Sequence, residues 1–143
     1  MSTRSRKEEI TYKKYRKQVA KDVCQFCDLN KNSSQLLKQS KHFKIIKNIF
    51  SYSLWDAVSV EDHLMIVPNK HTDTLGDLTP YEAKEFVDLI AKYEKIGYNV
   101  YARPPKSIRK TIVHQHTHLI KTKGNVKKFI FTIHKPFYIR MHR

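Results

Sequence analysis

The chain has 143 residues, 40% of them hydrophobic, and carries 28 Lys and Arg against 13 Asp and Glu, a formal charge of +15. That length is one domain able to bury a core; no apolar run is long enough to span a bilayer, and the opening Met-Ser-Thr-Arg-Ser-Arg-Lys leads into no signal-peptide core. The expectation is a soluble, cytoplasmic protein with no membrane partner, whose charge calls for an anion such as a phosphorylated substrate or nucleic acid.

The charge is unevenly placed, because Glu94 is the last acidic residue and every formal charge from Lys95 to Arg143 is positive. Residues 1–22 form a basic lead-in, with Lys13, Lys14, Arg16, Lys17 and Lys21 interleaved with Ile10, Tyr12, Tyr15 and Val19. Its apolar stripe is thin, so a short helix and a solvated arm are both open. Cys24-Gln-Phe-Cys27 follows. In an intracellular chain this spacing is half of a metal site or a redox pair. The polar Asp28-Leu-Asn-Lys-Asn after it is not the helix a thioredoxin-type motif needs, which favours a metal.

Leu29 to Gln39 reads as loop or one helical turn, His42 to Lys47 as a strand, and Asn48 to Asp56 as an aromatic stretch broken by small polar residues. His63-Leu-Met-Ile-Val-Pro68 is a buried strand ended by proline. From Pro80 to Ile96 the signals are helical: Thr79 as N-cap, Pro80 at the first position, Glu82 completing a capping box and Gly97 as the stop. Ala83, Phe86, Val87, Ile90 and Tyr93 would face the core. Tyr98 to Arg103 is a further strand, Lys127 to His134 another, and Pro136 opens a basic aromatic tail.

Between these last strands lies Ile112-Val-His-Gln-His-Thr-His-Leu-Ile120. Read as a strand, it sets His114, His116 and His118 in one row on one face. Imidazoles serve as nucleophiles, proton donors or metal ligands near neutral pH, and three polar rings on one face forgo a core. The stretch reads as a site.

His63-Leu-Met-Ile-Val-Pro-Asn-Lys-His71, Gly97-Tyr-Asn-Val100 and His114-Gln-His-Thr-His118-Leu-Ile together resemble the histidine-triad (HIT) family, and Cys24-Gln-Phe-Cys27 is similar to the C-x-F-C of its zinc-containing branch. The resemblance covers residues 23–121 and leaves a basic extension, strand plus tail, at 122–143. It implies an α+β fold, an antiparallel sheet of about five strands with one main helix and shorter helices, commonly paired as a homodimer. It also implies a nucleotide hydrolase or nucleotidyl transferase acting on a nucleotide or dinucleoside polyphosphate. Residue by residue, His116 matches the nucleophile that attacks the α-phosphorus, His118 the partner that shares protons with phosphate or leaving group, and His63 a histidine lining the same pocket. Thr111 matches a hydroxyl for phosphate oxygens, and Asp56 lies near the family's ribose-binding Asp. Cys24, Cys27, His71 and His114 match the ligands of a structural zinc.

The sequence departs from the pattern in the phosphate loop. Where the family has N-N-G and then G-Q-[ST], this chain has Arg103-Pro104-Pro105 and Arg109-Lys110-Thr111; Arg109 and Lys110 could hold phosphate by charge instead. Asp62 stands where a glycine precedes His63, and Asp56 is one residue nearer His63 than the pattern has it. A second reading, from the basic termini and their aromatic residues, is a nucleic-acid-binding module on the same fold. A third joins the two, as an enzyme acting on nucleotidylated nucleic-acid ends.

Overall fold

The computed structural model describes residues 4–19, 23–30, 32–124, 130–134 and 138–142, the last two stretches for the backbone alone. Two helices, α1 (Arg6–Gln18) and α2 (Pro80–Glu94), accompany eight strands: β1 (Leu36–Gln39), β2 (Phe43–Lys47), β3 (Leu54–Trp55), β4 (Val58–Pro68), β5 (Tyr98–Ala102), β6 (Thr117–Lys123), β7 (Ile130–His134) and β8 (Tyr138–His142). Six of them make one antiparallel sheet in the order β1-β2-β4-β6-β5, with β3 paired to β4, while β7 and β8 form a separate hairpin. The architecture is α+β, as expected.

Strand alternation decides what each sheet face carries. Phe43 and Ile45 of β2, Leu64 and Ile66 of β4 and Leu119 of β6 are buried against α2, through Phe86, Leu89, Ile90 and Tyr93. These four helical positions lie at i, i+3, i+4 and i+7, the spacing of one face. Val87, expected in the core, is 59% exposed, and Leu89 takes its place. Thr79 and Glu82 form the expected capping box, worth about 1 kcal/mol for the cap residue. Gly97 follows at φ 91°, a conformation glycine adopts without the Cβ clash of other residues.

The opposite face turns His63, Met65 and Val67 of β4 toward His118 and Ile120 of β6, in a register that sets Met65 opposite His118 and His63 opposite Ile120. Phe26 packs there with Ile46, Met65 and Val67. Lys44 is buried on this face, and its Nζ donates to the carbonyls of Phe26 (3.1 Å) and Leu29 (2.9 Å), which ties the Cys24–Cys27 loop to the sheet. One face is thus covered by α2 and the other by the N-terminal segment.

Three local expectations are corrected. The row of three histidines is not one strand: residues 111–116 are irregular and β6 begins at Thr117. The ladders explain it, since the pairing of β4 and of β5 with β6 both end at Thr117, against Ile66 and Ala102. Pro104 and Pro105, having no N–H, cannot continue the β5 side. Leu29 to Gln39 contains the edge strand β1, whose residues are mostly exposed and so lack an alternating signature. The tail includes β8, paired with β7; Lys127 to Phe129, the start of the expected strand, lies outside the described residues.

The candidate catalytic pocket and metal set

His116 and His118 line a cavity of about 170 Å³ between the sheet and α1, together with Tyr12, Tyr15, Phe26 and Phe50. Their rings lie 5.1 Å apart, and the His63 ring lies 5.1 Å from that of His118. All three are at least 93% buried, with exposures of 7%, 6% and 2% for His116, His118 and His63. Burial is the first cause that pushes each below the ordinary imidazole value, His63 to about 4; the charges of Arg4 on His63, Lys110 and Arg103 on His116, and Arg103 and Arg4 on His118 push the same way. At neutral pH the three rings are uncharged.

Their hydrogen bonds settle which nitrogen carries each proton, as the partners dictate it. The backbone N–H of Tyr52 donates to His63 Nδ1 (3.1 Å), so the His63 proton sits on Nε2, which donates to His118 Nδ1 (2.9 Å). His118 therefore holds its own proton on Nε2. His116 Nδ1 donates to the carbonyl of His114 (2.8 Å), which leaves its Nε2 with a lone pair. The pocket thus sets an unprotonated Nε2 on His116 beside a protonated Nε2 on His118. The Asn48 amide nitrogen, 3.3 and 3.1 Å from the two ring nitrogens of His63, lies over the ring face.

The buried neutral state of His63 has a consequence for stability. Its folded value of about 4 lies below that of an unfolded histidine, so the fold takes up fewer protons between those two pH values. Its contribution is complete above about pH 6.5 and declines as pH falls toward 4, by about 1.4 kcal/mol for each unit. Denaturant unfolding of wild type and His63→Gln at pH 7, 6 and 5 should show the wild-type advantage shrinking by roughly that slope. An advantage independent of pH would contradict it.

The other predicted residues are distributed as follows. Thr111 lines the cavity, where its Oγ1 accepts from Tyr12 Oη at 2.7 Å. Arg109 borders a second groove, of about 440 Å³, that also reaches His116 and His118. Lys110 is turned away, its Nζ donating to the Asp73 carbonyl and to Gln115 Oε1, both at 2.7 Å. Asp56 and Ala57 form the tight β3–β4 turn at φ 49° and 63°. Positive φ at both central residues matches the twist of a two-residue hairpin, where Asp is tolerated. Asp56 is exposed there and lines neither cavity.

Cys24, Cys27, His71 and His114 form a separate set, with one ligand atom from each within 4.8 Å of the others. Cys24 Sγ is 3.4 Å from His114 Nδ1, while Cys27 Sγ is 3.3 Å from His71 Nδ1 and 3.5 Å from His114 Nδ1. Tetrahedral zinc, with bonds of about 2.3 Å to sulfur and about 2.0 Å to nitrogen, spaces those atoms about 3.5 Å apart. His114 Nε2 donates to the Pro68 carbonyl at 3.0 Å, leaving Nδ1 as the ligand atom, the usual arrangement around a metal-bound histidine. Burial first, then contact with Cys24, pushes the Cys27 thiol above its ordinary value, a cost that a bound cation reverses. The residues fit a tetrahedral metal ion.

The N-terminal residues contribute what sequence reasoning missed. Ser5 and Glu8 cap α1 in a reciprocal box, and that Ser-x-x-Glu spacing was the available signal. Ser5 N–H donates to Ser53 Oγ at 2.9 Å, and Ser53 Oγ donates to the Glu8 carboxylate. Arg4 Nε donates to the Phe50 carbonyl at 3.2 Å, and Phe50 receives the rings of Tyr12 and Tyr15 at 5.1 and 4.9 Å. Among the described residues no helix is long and apolar enough to cross a membrane.

No model of a protein family matches the chain, and no curated protein matches it in sequence. Solved structures do. A histidine triad nucleotide-binding protein from Candida albicans is similar with a TM-score of 0.56 at 21% identity, over 73% of this chain and 78% of that one. A HIT family protein from Bacillus anthracis gives 0.56 at 21%, over 73% and 77%. A HIT family hydrolase from Clostridium thermocellum gives 0.54 at 18%, over 76% and 97%. The chain has the HIT fold. The resemblance first read in His63–His71 and His114–Ile120 is therefore matched in three dimensions by proteins that share only about a fifth of its residues.

Proposed function

We propose that the protein is a HIT-type nucleotide hydrolase or nucleotidyl transferase acting at the α-phosphorus. The observation that carries this reading is the fixed pair of tautomers, a lone pair on His116 Nε2 beside a proton on His118 Nε2. In the first step His116 Nε2 forms a bond to the α-phosphorus as the bond to the leaving oxygen or nitrogen breaks. His118 Nε2–H donates a hydrogen bond to the leaving atom as negative charge grows there, and the leaving group takes its proton from bulk water, so His118 stays neutral. Water then attacks the nucleotidyl-imidazole, gives its proton up to bulk water, and releases the nucleotide with the lone pair restored to His116. A buried, uncharged imidazole suits both steps, since it attacks well and leaves well from phosphorus.

The metal set would hold a structural zinc. Four protein ligands leave no open position on it, so it would take no chemical part in the reaction and would act by holding its ligands in place.

Purified protein offered dinucleoside polyphosphates, nucleoside phosphoramidates and adenylylated DNA should turn over at least one of them, with nucleoside monophosphate as product. Absence of turnover on all three, with salt-dependent binding of single-stranded RNA or DNA, would replace the enzyme by the nucleic-acid-binding module.

A further inference from the structure

We propose that the N-terminal segment is part of the reacting site, and that Arg4, together with Arg103, supplies the positive charge that stabilises the α-phosphoryl group during transfer. The inference rests on the reaction proposed above and adds to it two residues outside the triad.

The segment from Arg103 to Thr111 offers a phosphate few donors of its own. Pro104 and Pro105 have no N–H to offer a phosphate oxygen, and Lys110 is committed to Asp73 and Gln115. Phosphoryl transfer places negative charge on non-bridging oxygens, and electrostatic stabilisation of that charge is commonly the largest catalytic contribution. The charge must therefore come from the arginines that border the two cavities.

Arg4 is one of the few residues that border both cavities meeting at His116 and His118. It is held rather than loose: Nε donates to the Phe50 carbonyl, and the guanidinium carbon lies 4.2 Å from the Tyr12 ring centre and 5.3 Å from that of Tyr52. Those contacts hold its positive charge at the edge of both cavities. Arg103 borders the larger groove and stands 5.1 Å over the Tyr101 ring, which is itself stacked with His118. The positive charge of Arg4 is felt at both His63 and His118. Among the described residues Glu9, 3.6 Å from Arg4, is the one acidic residue bordering the larger groove. No residue of α1 is buried, so the helix gives the core little, and its contacts converge on the pocket.

The test compares steady-state kinetics of Arg4→Gln, Arg4→Lys and Arg4→Ala with wild type, on whichever nucleotide substrate the wild type turns over. Loss of one preorganised donor should lower kcat of Arg4→Gln by about 100-fold, with KM changed much less. Arg4→Lys should recover part of the loss, and added guanidinium should restore activity to Arg4→Ala. A kcat of Arg4→Gln within threefold of wild type overturns the proposal. So does a loss that neither lysine nor guanidinium relieves, since the residue would then only dock the helix. An active wild type with an indifferent Arg4 refutes this inference alone, whereas an inactive wild type refutes the reaction and the inference with it.

Discussion

His116→Ala is expected to lower turnover by roughly 10⁴-fold or more, the scale seen when a nucleophile is removed from a catalytic unit, while the fold and nucleotide affinity stay close to wild type. The expectation follows from the hydrogen bonds. His116 alone combines a blocked Nδ1, donated to the His114 carbonyl, with an Nε2 lone pair at the pocket wall. His118 presents a proton instead and cannot replace it without exchanging tautomers along the whole chain from Tyr52 through His63. His118→Ala should therefore cost less, within the 10²–10⁴-fold (roughly) typical of general acids, and least for substrates whose leaving group needs no proton. Single-turnover measurements would check the ranking. Equal rates for His116→Ala and wild type would remove the nucleophile assignment.

Metal removal is the second large effect. One zinc per chain is expected by elemental analysis, and Cys27→Ser or strong chelation should destabilise the domain by at least about 3 kcal/mol, or about 10 °C in Tm. The ligands come from three separate segments: the Cys24–Cys27 loop, the turn that follows β4, and the bend before β6. A metal there closes loops of more than 40 residues, and without it the loop relies on Phe26 packing and on Lys44. Activity should fall before the fold does. His114 faces the metal set through Nδ1 and orients His116 through its carbonyl, so a loosened His114 releases the nucleophile. Folded protein that contains no metal and keeps full activity would contradict this.

The sheet, α2 and the two histidine-bearing stretches were legible because each rests on short-range signals: proline at 68, the Thr79–Glu82 box, and the unbroken apolar run from Leu64 to Val67. What misled was carrying strand alternation backward from Thr117 to His114, although β5 ends at Ala102 and β4 pairs with β6 no further than Ile66. His114 consequently leaves the row and joins the cysteines. The role of α1 was not legible for a different reason. Tyr12, Tyr15 and Arg4 bury nothing fully, and they meet Thr111, Phe50 and Gln25 through polar and ring contacts that leave no periodic trace. Asp56 shows the converse: a residue near a pattern's expected position was taken up by a turn that needs positive φ.

The covering of the second sheet face by the N-terminal segment sets the order in which the working site can assemble. Its fastening contacts join residues far apart in the chain: Tyr12 to Thr111 across 99 positions, Cys24 to His114 across 90, Ser5 to Ser53 across 48. Contacts of such span form late, because the intervening chain must already be ordered to offset the entropy of closing so long a loop. On the ribosome, Tyr12 and the cysteines emerge first, yet their partners at 111 and 114 are made about a hundred residues later. The β1, β2, β3 and β4 part of the sheet can pair in that interval, its partners being near neighbours in sequence, whereas β5 waits for β6, its only neighbour in the described sheet. The earliest segment made thus finds its place only after residues 111 and 114 exist, and the pocket is complete only when it has.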